Sequence, residues 1–553
     1  MKKNSFLAGA AISTIGIVIC KVIGLVYVIP FYAIIGVQGG ALYSYAYSIY
    51  NMFLNLATSG IPVAMSKVVS EYQAKEFYHT KERTFKVGLK IITILGVAVF
   101  LILVIFAPQI AYLIIGDVQG GNSLEDVTMV IRVIATAILV VPFLSVSKGY
   151  LQGHKIMQVS SVANILEQIV RVIVILGGSF FALKVFHTSI TTAVGIAVFG
   201  ATMGAIAAYF YVYDKIRKNK AILKRDAKIT RDEAKIDNNA IAKKIIFYAL
   251  PFVAISVLQS AFTMVDVFTV VKSLVSIGYT TAISENVLSV LATWGSKLNM
   301  IVMSISTGII MSLIPTIAAA YAIKNYKEVH AKINQAIQTL FLVTIPLAVG
   351  ISFMASDVWT VFYGYNELNI SIFQLLILSQ IPLSLSSVMV NTNQTMNNTK
   401  ETILALGGSV LAKICLNVPM MHLFNVLGLE AYYAPIVLNM IIDTLCSIFL
   451  LYVIKKKTNI SYLKSARTLI KVTLCTAIMV ISLMILNVFI PNITTSRFLA
   501  LIQIIIYGVI GLIIYFIVAY KSKTIDEILG KGAVKKTMIK LKSKLKILFH
   551  KAS

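Results

Sequence analysis

Apolar runs of about twenty residues or more recur along the whole chain. Each is closed by a short polar or basic segment, and each could cross about 30 Å of hydrocarbon as a helix. The runs predict fourteen spans, at 6–35, 41–70, 87–115, 127–151, 157–183, 189–213, 244–274, 284–322, 333–355, 371–396, 402–424, 430–454, 468–490 and 498–520. The short-range alternation of a membrane barrel is absent from the sequence, so the expected fold class is all-α, a polytopic membrane protein.

The polar segments between the runs differ in charge by turns. One set is basic: Lys75, Lys81, Arg83 and Lys86, then Lys148 and Lys155, then a connector dense in Lys and Arg between Lys215 and Lys244, and later Lys324, Lys327, Lys332, Lys400, Lys455, Lys456, Lys457 and Lys464. The other set is short and neutral or acidic: "GVQGG" at Gly36, Asp117 with Glu125 and Asp126, Asp357 with Glu367, and Glu430. Basic loops stay in the cytoplasm, so both termini are expected there. Composition agrees, with 58% of the 553 residues hydrophobic and 13% charged, and a mean hydropathy of +0.86. The net charge of +27 is therefore a topology signal, and no nucleic-acid partner is expected.

The opening "MKKNSFLAGAAISTIGIVIC" has the outline of a lipoprotein leader. Ile19 replaces the small residue needed before such a cysteine and Lys21 follows at once, so the segment reads as the first span. Cys20, Cys415, Cys446 and Cys475 stand alone in apolar segments, and neither a metal site nor a disulfide is expected.

A phrase recurs: "NMFLNLATSGI" from Asn51 and "NMIVMSISTGI" from Asn299, 248 positions apart. At the same offset Tyr78 falls on Tyr326, Ala107 on Ala355 and Gly116 on Gly364. A register held that far indicates duplication, with spans 1 to 6 and 7 to 12 as parallel copies of a six-helix unit. The expected domains are an N-terminal bundle at 1–214, a basic cytoplasmic connector at 215–243, a C-terminal bundle at 244–454, two additional helices at 455–520 and a basic amphipathic tail at 521–553. Two bundles that rock about a central cavity are the physics of alternating access. In each copy small residues precede a proline, Gly60 with Pro62 and Gly308 with Pro315, marking a bending or packing seam. In the tail, Val534, Met538, Leu541, Leu545 and Leu548 keep helical spacing among lysines, which suits a helix lying on anionic membrane lipids.

Charges inside the spans are the candidate functional residues, because each costs roughly 2.5 to 3.5 kcal/mol at mid-bilayer. Lys21 lies roughly 22 Å of helix into span 1, too deep to reach the interface easily. Glu167 and Arg171 stand four apart on span 5, on one face, either as a structural pair or as a ligand site. Asp266 in span 7 could balance Lys21 or bind a cation and is the candidate for cation coupling, against a plain interhelical contact. Lys297 precedes the second copy of the phrase, and Lys413 and Asp443 lie in spans 11 and 12 with their pairing open. Lys67, Arg132 and Lys272 sit near span ends and are expected to snorkel. An excess of deep cations points to an anionic cargo.

The stretches "CKVIGLVYVIPFYAIIG", "LATSGIPVAMSKVVSEY", "KGYLQGHKIMQVSSVANILEQIVRV" and "QSAFTMVDVFTV" resemble the MurJ and SpoVB branch of the multidrug/oligosaccharidyl-lipid/polysaccharide exporter superfamily, over essentially the whole chain. The resemblance implies a transporter in the bacterial cytoplasmic membrane, not an enzyme, that flips a polyprenyl-diphosphate-linked cell-wall precursor such as lipid II. It implies a lipid-tail groove formed by the last two spans, an undecaprenyl-linked glycan lipid as partner, and the cell-wall synthesis machinery as a candidate protein partner. The family's basic residue early in span 1 falls on Lys21. Other cavity arginines of Gram-negative members fall on Tyr27, Leu54, Asn55 and near Ser296 or Lys297, a departure that fits a Gram-positive type. The cavity set taken from both lines of reasoning is Lys21, Tyr27, Asn51, Asn55, Glu167, Arg171 and Lys297. No cofactor is expected, and sodium or the membrane potential stands as the coupling source. Flipping of teichoic or capsular lipid-linked polymers and ion-coupled drug export are the alternatives.

Overall fold

The computed structural model describes residues 19–116, 120–154, 156–219, 236–490 and 495–529, with the side chains of 56–59, 157 and 529 left aside. The expected start of span 1, most of the basic connector and most of the C-terminal tail lie outside these residues. The described residues form helices and no strand. In chain order the helices are α1 (Ile19–Val26), α2 (Val28–Ser59), α3 (Ile61–Ala74), α4 (Tyr78–Ile105), α5 (Ala107–Ile115), α6 (Leu124–Gly153), α7 (Gln158–Val185), α8 (Ile190–Lys218) and α9 (Asn238–Ile277). They continue with α10 (Thr281–Ala322), α11 (Tyr326–Phe353), α12 (Ala355–Tyr363), α13 (Glu367–Thr395), α14 (Thr399–Val426), α15 (Ala431–Thr458), α16 (Leu463–Phe489), α17 (Arg497–Lys521) and α18 (Thr524–Leu529).

Among the described residues twelve helices are long and apolar enough to cross a membrane, and the bent pair of α1 with α2 raises the number to thirteen. The expected fourteen is not reproduced as a count. Spans 1 and 2 of the sequence reading both fall on the bent pair, because helix continues on either side of Gly36, where φ 67° and ψ −167° interrupt α2 at the expected "GVQGG" turn.

Helix boundaries keep the register of the repeated phrase. α4 and α11 have 28 residues each and begin at the matched Tyr78 and Tyr326. Each is followed by a nine-residue helix, α5 and α12, that ends on a glycine of positive φ, Gly116 at 71° and Gly364 at 86°. That backbone conformation suits glycine, which has no Cβ to clash. The seam regions differ between the copies. α2 ends at Ser59 and α3 restarts with Pro62 in its first turn, whereas α10 runs unbroken through Gly308 and carries Pro315 inside the helix.

The chain divides into two compact units, Met1–Lys297 with Leu406–Leu438, and Leu298–Ala405 with Asn439–Ser553. In the first unit small residues let backbones meet. A Cβ added at Gly149 would stand 2.7 Å from the Pro62 backbone, and one at Gly60 would stand 2.6 Å from the Val253 side chain. In the second unit polar side chains tie helices together: Gln338 donates to Thr468 Oγ1 at 2.9 Å, and Ser465 donates to Asn334 Oδ1 at 2.6 Å. Tyr515 on α17 donates to the Leu342 carbonyl at 2.7 Å, so both helices beyond the duplication, α16 and α17, dock on α11. The polar phrase "NTNQTMNNTKET" is a structural knot, with Asn398 donating to Asn393 Oδ1 at 2.9 Å while Lys457 binds Asn398 Oδ1 at 2.7 Å and Glu401 at 2.6 Å.

Candidate functional site

Helical spacing puts Tyr43, Tyr47 and Tyr50 on one face of α2. Their rings form a ladder, Tyr43 to Tyr47 at 5.2 Å and Tyr47 to Tyr50 at 5.9 Å, extended by Trp294 stacked 6.0 Å from Tyr43 and by Phe31 edge-on at 4.9 Å. Trp294 ends a π-helical turn, Val290–Trp294, within α10. Such turns shift the side chains that follow them around the helix. Gly40 on α2 makes room for the indole, since a Cβ there would stand 2.9 Å from Trp294 Nε1.

Two cations flank the ladder. Lys297 points its Nζ at Tyr47, 3.3 Å from the hydroxyl and 4.6 Å from the ring centroid, with the Tyr27 ring at 5.7 Å. Arg171 on α7 donates from Nη2 to Tyr50 OH at 2.9 Å and to Glu167 Oε1 at 2.7 Å. The second oxygen of Glu167 meets Lys148 Nζ at 3.4 Å, and Lys148 also donates to Asn164 Oδ1 at 2.6 Å. α7 is held in this position by glycines on α8. A Cβ at Gly204 would lie 2.6 Å from the Glu167 carbonyl oxygen, and one at Gly200 would lie 3.0 Å from that of Arg171.

Arg171 and Lys148 thus share one carboxylate, while Lys297 rests on the aromatic face. Lys297 meets a hydroxyl and two ring faces in place of an acid, and the buried Arg171 Nε has no hydrogen-bond partner among the described residues. Buried positive charge of this kind is costly unless an anion completes it. Aromatic faces offset part of the cost through their negative quadrupoles.

The structure brings Arg171, Glu167, Lys297 and Tyr27 into this cluster, Tyr27 being 4% exposed with its hydroxyl 3.5 Å from that of Tyr43. Lys21 on α1 is half-buried and has no hydrogen-bonding or ion-pair partner among the described residues. Asn51 is half-buried and Asn55 exposed, further along α2. Gly60 packs tightly, whereas Gly308 faces open space. Lys67 and Lys272 rest over the Tyr248 and Tyr112 rings at 4.0 and 5.6 Å, and Arg132 Nε donates to the Val104 carbonyl at 3.4 Å.

Sequence reasoning missed the tyrosines and a second buried acid. Glu285 on α10 is 3% exposed. Its carboxylate accepts from Tyr45 OH at 3.0 Å, from the Asn122 backbone N–H at 3.1 Å and from Asn122 Nδ2 at 2.9 Å. The period of tyrosines in "YSYAYSIYN" could have revealed the ladder. Glu285 gave no signal, because its partners are distant in sequence. Asp266 binds Lys413 Nζ at 2.6 Å, which settles the partner left open for Lys413.

The profile of the family described as "Polysaccharide biosynthesis protein" matches residues 6–321. The chain is 32% identical over 536 residues to the protein named lipid II flippase MurJ of Bacillus subtilis (strain 168), covering 96% of this chain and 97% of that one. The chain belongs to the polysaccharide biosynthesis protein family. It is a MurJ-like member, and the family match includes Lys21, the tyrosine ladder, Arg171 and Lys297, while Lys413 lies beyond it. Its fold is similar to a solved structure titled lipid II flippase MurJ, inward closed conformation, with a TM-score of 0.67 at 15% identity, covering 92% of this chain and 98% of that one. It is also similar to an inward-facing multidrug resistance MATE family transporter of the MOP superfamily, with a TM-score of 0.63 at 15% identity, covering 81% and 99%. The all-α, multi-pass architecture is thus that of transporters of this superfamily.

Proposed function

We propose that this chain flips a polyprenyl-diphosphate-linked cell-wall precursor, lipid II, from the inner to the outer leaflet of the bacterial cytoplasmic membrane by alternating access. The observation that carries the reading is the cation excess of the tyrosine ladder, where Arg171, Lys148 and Lys297 stand against Glu167 alone. A diphosphate is an anion that such a face would hold, with Lys21 as a further free ammonium on α1. Tyrosine hydroxyls and flat rings suit the polar and apolar faces of a glycan. The chain performs transport with no covalent step.

The physics of export agrees. A diphosphate diester carries about two negative charges, and each is worth about 2.3 kcal/mol per 100 mV, favourable outward when the inside is negative. The potential thus supplies about 4 to 5 kcal/mol, provided the cations of the site stay behind. The additional helices α16 and α17 serve the lipid tail, and the basic C-terminal tail rests on anionic lipids of the inner leaflet. A drug exporter of the same fold would take cationic cargo, for which a face with this surplus of cations is unsuited.

The test is lipid II exposure at the outer leaflet of cells depleted of other flippases and carrying this protein as wild type, Lys297→Gln or Lys21→Gln at equal membrane levels. Restoration by wild type and loss in the variants is expected. Well-expressed wild type that restores nothing would move the reading to a teichoic or capsular lipid-linked polymer, and flipping unaffected by collapse of the potential would remove the energetic argument.

A further inference from the structure

Asp266 and Thr269 lie three apart on α9, and Lys413 and Asn417 four apart on α14, so each pair shares a helix face. These faces meet. Asp266 Oδ2 accepts from Lys413 Nζ at 2.6 Å, and Oδ1 accepts from Asn417 Nδ2 at 3.2 Å. Asn417 Nδ2 also donates to Thr269 Oγ1 at 2.7 Å, while the Thr269 hydroxyl donates to the Val265 carbonyl at 2.6 Å. Lys413 is fully buried, with its ammonium 4.1 Å from the Phe262 ring centroid. Asn417 is fully buried as well, and its Oδ1 has no hydrogen-bond partner among the described residues.

The cluster therefore gathers three oxygens, two from the carboxylate and one hydroxyl, and rotation of the Asn417 amide would turn its unsatisfied oxygen toward them as a fourth. Such hard oxygens are what an alkali cation takes as ligands. Here the positive charge beside the carboxylate is covalently attached to the chain. We propose that Lys413 is a tethered counter-cation at Asp266, that this chain consequently binds no sodium ion there, and that a neutral residue at 413 would open a sodium site made by Asp266, Thr269 and Asn417. An ammonium carried on a side chain cannot leave to either face as a sodium ion does. The energetic consequence, that export relies on the potential acting on the anionic cargo, rests on the transport reading above. The binding claim does not.

The test separates the two. Thermal unfolding of the purified full-length protein in detergent is followed while sodium replaces N-methylglucamine at constant ionic strength. Wild type and Lys413→Arg are expected to show no saturable response. Lys413→Gln is expected to gain a saturable rise of a few degrees, as for any ligand that binds the folded state, and Asp266→Asn in the Lys413→Gln background should abolish it. A saturable sodium response of wild type that Asp266→Asn removes would overturn the proposal, as would a folded Lys413→Gln that ignores sodium. Should Lys413→Gln fail to fold, the wild-type and Lys413→Arg titrations still decide, because a saturable response in either that Asp266→Asn removes refutes the tethered cation, and titrations without one support it. These outcomes are independent of which lipid is flipped.

Discussion

Glu167 is the hinge of the ladder's electrostatics, and its removal makes a quantitative test. Its oxygens lie 2.7 Å from Arg171 Nη2 and 3.4 Å from Lys148 Nζ, with the three side chains only 9 to 16% exposed. At an effective dielectric of about 20 each contact is worth roughly 5 kcal/mol of attraction, most of which offsets the desolvation of the groups. Breaking such a pair from one side leaves uncompensated charge and costs about 3 to 5 kcal/mol. Gln keeps the shape and one acceptor oxygen, so Glu167→Gln is expected to lose about 3 kcal/mol, the lower part of that range. The Arg171 contact is shorter, and Lys148 keeps Asn164 as a partner. A double-mutant cycle with Arg171→Met should therefore give a coupling of about 2 kcal/mol, and one with Lys148→Met a smaller value. The assay is reversible unfolding in mixed micelles, read through the fluorescence of Trp294, one of only two tryptophans and a member of the ladder. Additivity of the Glu167 and Arg171 substitutions to within about 0.5 kcal/mol would refute the coupled network.

Two further perturbations bear on the fold around the site and on a buried acid in α12. Asp357 in α12 is fully buried with neither oxygen hydrogen-bonded, and burial pushes its carboxyl up from the usual carboxylate range to about 7. The folded state thus holds this proton where the unfolded chain has lost it, so stability should fall as pH rises from about 4 through about 7 and level off above. Asp357→Asn is expected to abolish that slope and to be more stable than wild type at pH 8 by about 2 kcal/mol, after allowance for screening, with no gain at pH 4, measured by unfolding across pH. At Gly204, the added Cβ of Ala would sit 2.6 Å from the Glu167 carbonyl. Gly204→Ala should push α7 from α8, cost about 1 to 3 kcal/mol and lower flipping, whereas Gly308→Ala, into open space, should leave both nearly unchanged.

The contrast between the two glycines shows where sequence reading ends. The repeated phrase made Gly60 and Gly308 equivalent, and the matched ends of α4 with α11 and α5 with α12 reproduce its register to the residue. A sequence repeat records what the copies inherited. It does not record what each copy now packs against, and the tight contact at Gly60 has no counterpart at Gly308. Spans were legible because the bilayer imposes length and apolarity on contiguous residues. The turn at Gly36 falls where "GVQGG" marks it, and the count differs because the helices on its two sides form one α2. Glu167 and Arg171 were legible as a pair because one helical turn separates them, whereas Lys413 meets Asp266 across 147 positions and Glu285 meets Tyr45 across 240. Charges were sought as isolated costs within single spans, and the structure answers them in combinations: acid with lysine, lysine with tyrosine, arginine with both. The tyrosines were passed over because an aromatic in an apolar span reads as packing. With Lys297 over Tyr47 and Arg171 on Tyr50, the same ladder becomes a surface that makes buried cations tolerable without neutralising them, the property that the proposed anionic cargo needs.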